Sequence, residues 1–94
     1  MTRKKSKYKH AIISNKRYYF YNIRWVDITG DAAHATKEEF EKMEPAFIIT
    51  NAYVFKKDNQ YLYTFASYDE KEAVFSDRNI IPVGCVKKIT KILF

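Results

Sequence analysis

Cysteine is nearly missing from this chain. The single thiol, Cys85, excludes an intramolecular disulfide and any multi-cysteine zinc site. Glycine and proline number two each, which leaves little material for flexible linkers. No apolar run approaches the roughly 18 residues that a membrane-spanning helix needs. The basic start Arg3-Lys4-Lys5 is not followed by the apolar stretch of a signal peptide, so a cytoplasmic protein with no membrane partner is expected. There is no glycine-rich phosphate loop, no nucleophile elbow and no metal motif. Acids are also missing from one end. Residues 1–24 hold eight Lys and Arg and no Asp or Glu, whereas residues 25–94 hold the other nine and all 11 acids. The net charge of +6 is therefore a basic N-terminal segment on a slightly acidic body.

What is present is apolar and aromatic. Ninety-four residues at 47% hydrophobic and 17% aromatic make one domain with a core that is sizeable for its length. We divide the chain into a basic mobile arm, 1–10, and a single small β-barrel domain, 11–94.

The organising stretch is Asn79 to Ile92. Pro82 lacks a backbone donor and belongs at a strand end. Gly84 admits a positive φ at little cost. Val86, Ile89 and Ile92 recur every third residue, which suits one short helical turn feeding a closing strand. Upstream, Ala11 to Asn15 is a short strand ending in a Ser14-Asn15 turn. Lys16 to Ile28 is the first long strand, rich in aromatic and β-branched residues. Tyr19, Tyr21, Ile23 and Trp25 share one face and Val26 and Ile28 the other, so a bulge is expected near Trp25-Val26. Thr36 and Glu39 form a capping box for a helix of about two turns, which Pro45 stops. Phe40 and Met43 mark the side it should bury on the sheet.

Ala46 to Lys56 is apolar on both faces and reads as a strand that is central, or bent so that each half buries a different face. A hairpin at 57–60 leads to Tyr61–Tyr68, a turn at 69–71, a short strand at Ala73–Phe75 and the closing unit. The expected fold is mainly β with one short helix. It is a small SH3-like or Sm-like barrel of about five strands, with the helix between the first and second long strands covering one open end.

Several segments carry a resemblance. They are Ile23-Arg24-Trp25-Val26-Asp27, Thr36-Lys37-Glu38-Glu39-Phe40, Pro45, Ala52-Tyr53-Val54, Asp58, Tyr61-Leu62 and Asn79 through Ile89. This pattern resembles a group of small uncharacterised tailed-phage proteins over roughly residues 22–93. Those proteins often have a Gly-Trp pair where this chain has Ala52-Tyr53. The resemblance implies a phage context, hence host cytoplasm, and supports a barrel. It implies no activity.

For chemistry, His10 and His34 are the only histidines. Asp27 and Asp31 lie near His34 in sequence, but Asp27 is expected to bind backbone amides in its turn and His34 to be exposed. No catalytic residue, metal site or cofactor is assigned, and the chain is read as a non-enzyme. Three roles follow, in order. The first is an interaction module that binds a host or phage protein, supported by the tyrosine excess. The second is a nucleic-acid-binding barrel. It would use Arg3, Lys4, Lys5, Lys7, Lys9, Lys16, Arg17 and Arg24 on phosphates and Tyr18 and Tyr21 as stacking platforms, with Lys87, Lys88 and Lys91 on the last strand. The third is a pocket that sequesters a small nucleotide. Free edges on the first or fourth strand also permit a homo-oligomer.

Overall fold

The computed structural model describes residues 6–94. Six antiparallel strands form one sheet: β1 (His10–Ile13), β2 (Lys16–Asp27), β3 (Ala46–Lys57), β4 (Tyr61–Asp69), β5 (Val74–Pro82) and β6 (Val86–Lys91). The pairing order is β1-β2-β3-β4-β5, and β6 returns to pair β2. The fold is mainly β, as expected, with one short helix α1 (Lys37–Glu41) between the two longest strands.

The expected closed barrel does not form. β5 pairs only β4 and β6 pairs only β2, so the sheet stays open between β5 and β6. The 3-10 turn Val83–Cys85 joins them, with Pro82 at the end of β5. Gly84 sits in that turn without a positive φ. The turns that do need left-handed backbone use other residues. Ser14 and Asn15 take φ of 50° and 64°, the two-residue geometry that matches strand twist. That turn fixes β1 on β2 in the register His10↔Tyr19 to Ile13↔Lys16.

β2 is the axis of the sheet. Along one edge it pairs β3 from Phe20↔Tyr53 to Asp27↔Ala46. Along the other it pairs β1 and then β6, from Tyr21↔Lys91 to Trp25↔Val86. The register shift on the β6 side falls at Arg24/Trp25, one residue from the expected bulge. Between the two neighbours the chain ends interlock. The Lys9 amide donates to the Ile92 carbonyl at 2.8 Å and the Phe94 amide to the Lys7 carbonyl at 3.0 Å. Tyr8 bridges Leu93. Residues 7–10, expected on the sequence to belong to the mobile arm, are thus tied into the sheet. Arg3, Lys4 and Lys5 lie outside the described residues.

The twisted sheet buries opposite faces in its two halves. On one face Ala11, Ile13, Tyr18 and Phe65 form a cluster, joined by Tyr53 and Phe75. Aromatic edges tie it together: Phe65 lies 4.7 Å from Phe75 and 5.5 Å from Tyr18, centroid to centroid. By register, Ile23, Ala52, Thr64, Leu62 and Ile81 share the other face, and all five are buried. β3 makes the switch, with Ala52 inward on one side and Tyr53 packed on the other, as a strand apolar on both faces requires. A register shift between Val54 and Lys56 accompanies it.

Two expectations for the middle of the chain need correction. Residues 74–82 are one continuous strand and not two short ones. The helix does form on its Thr36 cap, whose hydroxyl oxygen accepts from the Glu39 amide at 3.2 Å. However, it covers nothing. Phe40 is 70% exposed and Met43 38%. Asp27 and Ala46 pair directly, so residues 28–45 leave the strand ends as an excursion, and every residue in it is exposed.

The β3–β4 hairpin is closed by Asp58. Its Oδ1 accepts from the Gln60 and Tyr61 amides at 2.8 and 2.7 Å. The Tyr61 amide, then the Gln60 amide, hold the carboxyl below its ordinary range. A depressed carboxyl stabilises the fold above its unfolded pKa, and that contribution disappears as pH falls through the folded value. Asp58→Ala is therefore expected to lower the urea midpoint at pH 7 and to leave the gap between variant and wild type smaller at pH 2. Paired urea titrations at the two pH values check this.

Candidate nucleic-acid interface

The sequence is acid-free from residue 1 to 26 and again from 78 to 94. These two segments hold 12 of the 17 Lys and Arg residues. The β2–β6 ladder and the interlocked ends set residues 6–26 and 86–94 side by side, while Arg78 stands on β5, which pairs only β4. One flank of the sheet is thereby basic, and all 11 acids belong to residues 27–77.

Within that flank the side chains gather at the junction of β1, β2 and the C-terminal segment. Strand parity and register place His10, Arg17, Tyr19, Tyr21 and Lys91 on one face. The Lys91 ammonium lies 4.1 Å from the Tyr19 ring centre and 5.2 Å from that of Tyr8. Both distances are within cation–π reach. The Lys7 ammonium approaches Tyr8 from 5.4 Å. The Arg17 guanidinium donates to the Tyr19 hydroxyl at 3.4 Å. His10 packs edge-on to Tyr19 and Phe94, and its Nδ1 is 2.8 Å from the Tyr8 carbonyl oxygen. Lys7 and Lys91 are exposed, and Tyr8, Arg17, Tyr19 and Tyr21 are half-buried.

The Tyr19 phenol responds to these cations. The hydrogen bond from Arg17 is the main cause that lowers its pKa from 10.0, helped by Ser6. Arg17→Gln is expected to raise the Tyr19 pKa, which an ultraviolet titration of tyrosinate against a Tyr19→Phe control would read. A depressed phenol favours the folded state only above its folded pKa, where the unfolded chain still holds the proton, and the gain is complete above the unfolded value. Wild type should therefore resist unfolding between pH 10 and 11 better than Arg17→Gln does, relative to their difference at pH 7.

The residues expected to bind nucleic acid are divided by the structure. Lys7, Arg17 and Tyr21 share the cluster. Lys9 lies over Phe20 at 4.2 Å, and Lys16 lies 5.3 Å from Tyr18. Tyr18 is buried in the core, stacked on Phe55, and is not a platform. Its even position puts it on the face that Phe65 seals. Arg24 shares that parity and lies on the opposite face from Tyr19, where it stands directly across from Lys88. Tyr19 itself is absent from the expected set. The alternation that grouped it with Tyr21 was a usable sign, but its neighbours His10 and Lys91 come from strands whose register sequence alone does not supply.

A concavity of about 980 Å³ opens beside the β4–β5 hairpin, away from this cluster, where Phe55, Phe65, Phe75, Thr64 and Arg78 line it. The Thr64 hydroxyl is buried with no hydrogen-bond partner, on the sheet face opposite the Phe65 ring. Elsewhere, Asp27 Oδ1 accepts from the Ile28 amide, as expected, and His34 is exposed. Among the described residues, no three His, Cys, Asp or Glu side chains are placed to hold a metal ion, and no helix is long and apolar enough to cross a membrane. Compared with known proteins, the chain matches no family model, no curated protein and no solved structure.

Proposed function

We propose that this protein binds single-stranded nucleic acid on its basic flank, acting by binding and not by catalysis. The observation that carries this reading is the Tyr8–Lys91–Tyr19 arrangement within a flank that has no carboxylate side chain. Cations there attract phosphates, and half-buried tyrosines beside them give bases a surface on which to stack. In the phage context that the sequence pattern implies, the target strand lies in the host cytoplasm. The connection β2 to β5, a 3-10 turn and the return of β6 to β2 also supports reading the sheet as an opened small barrel of the SH3-like kind.

A fluorescence titration of labelled single strand and duplex tests the proposal. Wild type is expected to prefer the single strand, and affinity should fall steeply between low and moderate salt. Equal weak binding to both, insensitive to Tyr8→Ala, overturns it.

Two other readings have support of their own. The groove beside β4 and β5, where aromatic rings stand beside Arg78, favours a small-nucleotide pocket. Mononucleotides that bind without displacing the labelled strand would locate them there. The solvent-facing apolar side chains Phe40, Phe47 and Ile49 favour a protein partner.

A further inference from the structure

Those apolar side chains form two surfaces of opposite charge. The first is the excursion 28–45. It exposes Phe40 and Met43, and it carries Asp31, Glu38, Glu39, Glu41 and Glu44 against Lys37 and Lys42. None of its residues is buried. The second is the outer face of β3, β2 and β6. Phe47 is 71% exposed there and Ile49 58%. They stand directly across from Val26 and Arg24, and Arg24 stands across from Lys88. No acid lies on this face of the three strands, and the two cations face each other at a position where like charges oppose pairing.

The exposed area is large enough for a partner to cover them. The chain exposes 7597 Å². A compact monomer of 11.2 kDa exposes roughly 5,700 Å². The excess, more than about 1,000 Å², is on the scale of a specific protein interface.

We infer that the occupant is a second copy of this chain. The excursion of each protomer lies on the β3–β2–β6 face of the other, Phe40 and Met43 against Phe47 and Ile49, with glutamates opposite Arg24 and Lys88. Mutual exchange makes the contact isologous and closes it at two chains. The cluster at Tyr8, Tyr19 and Lys91 lies on the opposite face from Arg24, so the association does not rest on nucleic-acid binding.

Sedimentation of the full chain at micromolar concentration tests this. Wild type is expected at twice 11.2 kDa. Phe40→Asp lies on no strand and leaves folding intact, so it should give a monomer with an unchanged circular dichroism spectrum. Ile49→Asp, on the exposed face, should do the same. A monomeric wild type overturns the inference. So does a dimer that survives either substitution, because both surfaces are required at once.

Discussion

Phe65→Ala is expected to unfold most of the protein at 37 °C. Phe65 is 1% exposed and is the largest of the fully buried side chains. It lies 4.7 Å from Phe75, 5.3 Å from Tyr53 and 5.5 Å from Tyr18, so one truncation removes packing against three other strands. Truncating a buried phenylalanine to alanine costs about 3–5 kcal/mol, from the transfer energy of the ring and the cavity left behind. Native domains are stable by only about 5–15 kcal/mol. Among the described residues only eight apolar side chains are buried, which argues for the low end of that range. Differential scanning calorimetry should show the transition lowered by more than about 10 °C, or absent. Phe65→Leu keeps most of the volume and should be much milder. Phe40→Ala, by contrast, should leave the transition of the dissociated chain unchanged, since Phe40 stays exposed within its own protomer.

That contrast shows which features were legible in the sequence. Local chemistry was. Thr36 and Glu39 specify a helix start through two groups three residues apart, Pro82 ends a strand because it has no donor, and Ser14-Asn15 and Asp58 close turns through their own backbone neighbours. The two-faced character of β3 was legible too, because its apolar residues do not alternate. What was hidden depends on partners distant in sequence. Phe40 and Met43 carry the helical spacing of a buried face, yet the Asp27↔Ala46 pair holds the excursion off the end of the ladder. An amphipathic pattern records that a face needs covering and does not record whether the cover comes from the same chain. Alternation puts Tyr18 and Tyr19 on opposite faces of a strand but does not say which face the core covers. The Ser14-Asn15 turn decides which one points at the core and which one meets Lys91.

Lys91→Glu is expected to have the largest effect on nucleic-acid binding of any single substitution. Its ammonium is within reach of two tyrosine rings contributed by different segments, so reversal removes the cation common to both and puts a carboxylate side chain into a flank that has none. Two changes should appear together. Affinity for a single strand at low salt should drop at least about tenfold, and the slope of log affinity against log salt should become shallower by about 0.7 for each phosphate that is no longer neutralised. Tyr19→Ala should separate the two. It removes a ring and leaves the charge, so affinity should fall by about tenfold while the salt slope keeps its wild-type value. The fold is not at stake in either variant, because Lys91 is exposed and Tyr19 lies outside the buried set. The two variants together decide the mechanism. A shallower slope for Lys91→Glu with an unchanged slope for Tyr19→Ala means that phosphates and bases are held by different members of one cluster. If neither substitution changes affinity, binding does not occur at this junction. Weakened binding with Lys91→Glu alone would mean that the flank acts as a plain cationic surface, which a duplex would satisfy equally well.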